Sequence, residues 1–354
     1  MTPTKDERRK LESVIDKEVH YIEALINDGA NIPIDADVGS YEIRLPPWYD
    51  EEKFKRGQEF FRENLSAVIT AGFCGLISVF AIPSILDVLI FTNQSSTPTV
   101  AYKRYVLTVL HTLNWYIEEL RPGSNSWKSL EYVRRIHAVN SKRANVKDSR
   151  MLISQKDIAI TQFGFMGYVV LSHRKLGVQY SREGMEGFIH LWRTIGFMLG
   201  LEDRFNLGTD ELNASYQRMM LVNDHFMRPG LQYPSAEFIH LTRIMIDAMW
   251  CYSTLLEYDA FMFLTRRLSG VPGHYYWTSE PRDGARPVYK EMGWFSRVTL
   301  FVLMTIHEVL LNITVLRLCS NWMFRFNAYV VNKYFPVLAM VKHGFRKAYV
   351  KVVY

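Results

Sequence analysis

Apolar residues recur three and four positions apart through almost the whole chain, and alternating apolar–polar stretches are nearly absent. That spacing gathers apolar side chains on one face of a helix and gives a sheet no buried side, so the sequence predicts an all-α fold. The segments that carry it are Lys5–Asn27, Glu52–Ala67, Ala71–Thr92, Pro98–Leu120, Trp127–Val139, Gln155–Ser172, Arg182–Leu201, Thr209–Asn223, Pro234–Tyr258, Ala260–Leu268, Phe295–Leu318 and Trp322–Val352. The last is expected to kink at Pro336, where the ring removes an amide donor. Two stretches break the pattern: "NIPIDADVGSYEIRLPPWYDEE", in which Asp50 is placed to cap the next helix, and "SGVPGHYYWTSEPRDGARP". No shift of composition marks a boundary, so residues 1–354 read as one large helical domain of about 10–12 helices.

Several classes drop out on composition. Three cysteines, Cys74, Cys251 and Cys319, are odd in number and far apart, which excludes a disulfide framework, a zinc site and an iron–sulfur cluster. They point to a reducing, intracellular setting. The net charge of +6 comes without a Lys/Arg tract, so no nucleic-acid partner is expected. The start, "MTPTKDERRKLESVIDKEVHYIEALI", is charged and helical in pattern, unlike a signal peptide or an anchor. Pro83 and Asp87 interrupt the apolar run Ala71–Phe91, and His307 and Glu308 end Val298–Ile306, so both are expected as buried core helices and not membrane spans. The final helix carries Lys333, Lys342, His343, Arg346, Lys347 and Lys351 among Tyr, Phe, Val and Met. It reads either as a solvated basic face or as an amphipathic stretch lying on an anionic membrane, which makes 295–352 the candidate for peripheral contact. The 21 Phe, 20 Tyr and 8 Trp suit a wide hydrophobic cavity and equally a large core.

No phosphate loop, GxSxG elbow or HExxH is present. What remains are polar residues set singly into apolar helices, the way a helical protein builds a cofactor pocket. In "SLEYVRRIHAVNSKRA", Arg134 and His137 share a helix face; the arginine suits a propionate or carboxylate while the imidazole ligates a metal. The same cluster, with Arg135, Lys142 and Arg143, also reads as surface charge. In "ISQKDIAITQFGFMGY", Thr161 stands beside Gly164 and Phe165, where small and aromatic residues admit either a flat ligand or a second backbone. In "FIHLWRTIGFMLGLED", His190 has Glu186, Arg193 and Thr194 within a turn, and is either a metal ligand or a satisfied core histidine. His137 and His190 are the two candidate metal ligands, and Glu131 or Glu186 could join them around a non-haem iron.

Four motifs, "PPWYDEEKFKRGQEFF", "VRRIHAVNS", "DIAITQFGFMGY" and "HLWRTIGFMLGLEDRFN", follow in that order over Pro46–Asn206. Together they resemble the family that joins bacterial latex-clearing rubber oxygenases to the ER-bound oxygenase of fungal mycophenolic acid biosynthesis, and within it the eukaryotic, animal-type branch. The resemblance implies a globin-like helical core, a b-type haem, and cleavage by O2 of a carbon–carbon double bond in a hydrophobic, terpenoid or lipid-like substrate. Rubber-cleaving members carry Arg-x-x-Lys-Thr on one helix; the matching residues here are Arg134-x-x-His137-Ala138. A glutamate upstream serves as base, which points to Glu118 or Glu119, with Glu119 entered as the candidate beside Arg134, His137 and Thr161. Thr161–Tyr168, where a proximal histidine belongs, has none. The resemblance then leaves His190 as first choice and His173 as second, or His137 and His190 both axial to one haem, with Arg193, Phe165 and Gly164 as further cofactor contacts and a place in the cytoplasm or peripheral at the ER membrane. The competing class is a helical haem- or lipid-binding protein without turnover.

Overall fold

The computed structural model describes residues 18–34, 43–147, 151–276, 285–328 and 336–352. The all-α expectation holds: among these residues the one departure from helices and turns is an isolated bridge between Pro33 and Ser154. In chain order the helices are α1 (18–27), α2 (Glu51–Glu63), α3 (Leu65–Phe80), α4 (Pro83–Thr92), α5 (Pro98–Ile117), α6 (Asn125–Lys147), α7 (Gln155–Leu171) and α8 (Arg182–Met198). They continue with α9 (Leu212–Val222), α10 (Arg228–Gln232), α11 (Ala236–Met249), α12 (Tyr258–Ser269), α13 (Trp294–Glu308), α14 (Thr314–Phe326), α15 (Val337–His343) and α16 (Phe345–Ala348).

The segmentation is finer than the periodicity suggests. Where the pattern predicts Glu52–Ala67 followed by Ala71–Thr92, the chain instead turns by 95° between α2 and α3. Asn64 makes that corner: its Nδ2 donates to the Phe60 carbonyl at 3.0 Å, and its Oδ1 accepts the Gln179 amide at 2.7 Å. Pro83 does not sit inside a helix but opens α4, where its missing N–H leaves no bond unmade. The predicted Pro234–Tyr258 helix ends at Met249, and Tyr258 begins α12. Phe295–Leu318 divides into α13 and α14 around a short turn at Leu310–Asn312. Of Trp322–Val352, residues 329–335, with Lys333, lie outside the described residues, and Gly344 at φ +88° separates α15 from α16. Most of the predicted Lys5–Asn27 helix and residues 277–284 of the long loop also lie outside them.

Two glycine-mediated pairs form the centre. Gly57 of α2 meets the backbone of Gly187 in α8, and Gly75 of α3 meets Gly164 of α7; a Cβ at any of these positions would overlap the opposite helix. Close backbone approach of this kind is a use for which only glycine is small enough. A capping box fixes the start of α7: Ser154 Oγ accepts the Asp157 amide at 3.2 Å while Asp157 Oδ2 accepts the Ser154 amide at 3.0 Å. Phe60, Phe163, Phe188 and Trp192 fill the space between these helices.

Candidate functional site

Two of the four motifs, the first and the last, fold into one clamp. Asp50 caps α2 by accepting the Lys53 amide at 3.0 Å, and its own backbone N–H donates to His190 Nε2 at 3.1 Å. Tyr49 stacks on the His190 ring at 6.1 Å between centroids, and Trp48 meets it edge-on at 5.7 Å. Burial, which disfavours the charged imidazole, pushes the His190 pKa down to about 4, so the ring is a neutral acceptor. Arg193, one turn along, lies over the Trp48 ring at 3.9 Å. It donates from Nε and Nη2 to both Asp203 oxygens at 3.1 and 2.9 Å, and from Nη1 to Asp210 at 2.7 Å. His190 and Arg193 therefore join the segment before α2 to the turn after α8. The expectation that they face a cofactor is corrected: the nitrogen that would meet a metal holds an amide, and the guanidinium is occupied by two carboxylates.

The pairing of His190 with His137 is corrected for the same reason. Trp192 points to the opposite side of α8, where its indole donates to Tyr116 Oη at 2.9 Å and stacks on Phe165 at 4.6 Å. His190, two residues away, turns toward Trp48 and Tyr49. A non-haem centre is not assembled either: among the described residues no three His, Cys, Asp or Glu side chains converge. Glu186 pairs with Arg182 at 2.8 Å, and Glu131 is exposed.

Glu119 is also corrected as a base, since it stands 71% exposed beyond the end of α5, paired with Arg121 at 2.7 Å. Gly164 serves the contact with Gly75. Thr161 and Phe165 lie one turn apart on α7 and are half-buried, while the positions between them are closed. Thr161 Oγ1 donates to the Asp157 carbonyl at 2.7 Å. His173 occupies the turn after α7, with Nδ1 3.3 Å from the Val170 carbonyl oxygen.

His137 differs from all of these. Its Nδ1 is buried and has no hydrogen-bond partner. Burial and the nearby Arg104 guanidinium push its pKa down to about 4, leaving a neutral imidazole. Arg134, a turn earlier on α6, donates from Nη1 to the Met198 carbonyl at 3.3 Å, tying α6 to the end of α8. Arg104 is the residue that sequence reasoning missed. It lies inside the apolar helix α5, and the signal was there: a lone arginine in "AYKRYVLTVLH", on the stripe that continues through Thr108 and His111.

Fold and site define an all-helical protein in which a neutral histidine of α6 stands near an arginine of α5. Residues 59–300 match the family described as "ER-bound oxygenase mpaB/B'/Rubber oxygenase, catalytic domain", and the chain belongs to that family. A solved structure of latex clearing protein LCP in the closed state is similar at a TM-score of 0.48 and 18% identity, over 84% of this chain and 88% of that one. No curated protein matches the chain.

Proposed function

We propose that the protein is an oxygenase that uses O2 to cleave a carbon–carbon double bond in a hydrophobic, terpenoid or lipid-like substrate, with haem b as its cofactor. Family membership supports the oxygenase part. The observation that carries the cofactor part is the His137 ring, neutral, buried and with Nδ1 unpartnered. An imidazole in that state is a competent iron ligand, whereas the Nε2 lone pair of His190 already accepts the Asp50 amide. Haem, when bound, supplies the activation of O2. The chain's own part is to present the His137 lone pair without a proton, to hold α6 against α8 through Arg134, and to surround the substrate with apolar side chains.

The full chain offered hemin should develop a Soret band that His137→Ala abolishes and His190→Ala keeps. Protein that stays colourless after hemin overturns the cofactor assignment. One observation favours the alternative of a haem- or lipid-binding protein without turnover: the glutamate expected as base lies on the surface. Labelled O2 separates the two readings, because only the oxygenase transfers label from O2 to a polyene.

We further propose that the protein rests on a bilayer through α13 and α14, not through the basic last helix. Residues Trp294–Asn312 are long and apolar enough to cross a membrane, yet only 39% of that stretch is buried. Ser296, Thr299, Leu300, Leu303, Met304 and His307 face the protein, while Trp294, Val298 and Phe301 face outward, so the expected fully buried helix is half exposed. Trp322, 64% exposed, and Leu318 extend the apolar surface along α14, with Arg317 and Arg325 on the same helix. One buried face and one exposed apolar face describe a helix lying in the interface plane. The last helical turns are anchored instead: His343 stacks on Tyr102 at 4.4 Å, and Ala348 accepts the Tyr102 hydroxyl at 2.9 Å.

A further inference from the structure

Arg104 is a cation set among neutral partners. Its Nη1 donates to Thr92 Oγ1 at 3.2 Å and stands 3.5 Å from Ser95 Oγ. Ser95 is itself buried, and its hydroxyl shares a 2.9 Å bond with Tyr105 Oη. No carboxylate among the described residues pairs with Arg104, and the hydroxyls satisfy one nitrogen without neutralising the charge. Burial depresses its pKa, the mark of a guanidinium taken from water without an anion in return. The most deeply buried arginines do have one: Arg193 has Asp203 and Asp210, Arg218 has Glu18, and Arg267 has Glu308; Arg266, which burial depresses in the same way, instead donates to the Leu231 carbonyl. A partly desolvated charge with no counter-charge is costly to keep unless something supplies the anion.

The place of Arg104 in the fold indicates where that anion would sit. Helices α5 and α6 run as a hairpin, in which His111 meets Ser129 at 2.7 Å and the Tyr132 ring at 5.4 Å. Two turns back along α5, Arg104 comes level with the part of α6 that carries His137, close enough for its charge to act on the imidazole. The unpartnered Nδ1 of His137 and the uncompensated guanidinium thus belong to one region between α4, α5 and α6.

We propose that Arg104, backed by the Thr92 and Ser95 hydroxyls and adjoining His137, is a carboxylate subsite that binds the acid end of an amphiphile whose apolar part lies among the helices. This deepens the oxygenase reading by assigning the substrate class, but it is a claim about binding and holds or fails without turnover. Two sources carry the same chemistry, a fatty or terpenoid acid and a haem propionate.

Both sources can be tested on the full chain. Without haem, linoleic acid, methyl linoleate and linoleyl alcohol are titrated against tryptophan fluorescence; separately, hemin and hemin dimethyl ester are titrated against the Soret band. A charge-assisted hydrogen bond is worth about 1.5–3 kcal/mol, so the free acid should bind roughly 10- to 100-fold more tightly than its ester. Arg104→Gln should erase that preference and Arg104→Lys should keep part of it, with circular dichroism confirming that each variant folds. Loss confined to linoleic acid assigns a substrate carboxylate; loss confined to hemin assigns a propionate. The proposal is overturned if wild-type protein binds each ester as tightly as its acid, a result that needs no variant, or if Arg104→Gln leaves both preferences intact.

Discussion

His190 holds the first turn of α2 in place by accepting an amide that would otherwise be left unmade at a helix start. Replacing it by Ala strands the Asp50 N–H among Trp48 and Tyr49, and the expected cost is about 1–2 kcal/mol, measured as a lower midpoint in urea unfolding. His190→Gln, which restores an acceptor, should recover part of it. Acid should act on the same residue and on His137. Folded, both hold pKa values near about 4, whereas the unfolded chain titrates near 6.5. Between those values the unfolded state binds more protons, so stability is full above pH ~6.5 and falls as pH drops toward ~4. Unfolding curves at pH 7.5 and 5.0 should show the loss, and His190→Gln should reduce it; an unchanged pH slope would count against a buried neutral ring. The sequence made His190 conspicuous because it pairs a histidine with an arginine in an apolar stretch. It did not reveal which way the pair points, since the partners, Trp48 to Asp50 and Asp203 to Asp210, come from the preceding and following loops. Arg104 went unnoticed for a related reason: its importance comes from the carboxylate it lacks, which only the packed neighbours can show.

At the level of elements, the glycines decide how closely helices meet. Gly75→Ala drives a methyl into the Gly164 backbone, where no side chain can move aside, and Gly164→Ala drives one onto Val79 Cγ2 at 2.9 Å. Each should cost about 1–3 kcal/mol or more and lower the melting temperature by several degrees. Gly72→Ala, in the same helix α3 but with nothing within 4 Å of the new carbon, should stabilise by about 0.5–1 kcal/mol through helix propensity alone. The contrast between neighbouring glycines separates packing from propensity. Helical periodicity made the elements themselves legible, and Asp50 marked a start that the structure keeps. The corner at Asn64 was not legible, because apolar residues continue at helical spacing on both sides and the bend depends on a bond to Gln179, far away in the chain.

For the whole molecule, the exposed aromatic face of α13 and α14 predicts association with vesicles. Full-length protein should co-sediment with anionic liposomes, and the double variant Phe301→Asp/Trp322→Asp should remain in the supernatant while keeping its helical circular dichroism. Equal sedimentation of the two proteins would remove the bilayer from the proposal. The sequence underrated this face because it pointed to lysines and arginines in the last helix, whereas Trp294, Phe301 and Trp322, all exposed, precede them.

The corner at Asn64 also constrains how anything reaches His137. The α2–α8 and α3–α7 pairs stand on either side of it, each sealed backbone to backbone, so neither can part without tearing open the centre. An approach along the flank built from α4, α5 and α6, past the Arg104 side chain, would leave both pairs untouched. A guest would then enter by rotamer changes on nanosecond timescales, with the helical frame standing still around it.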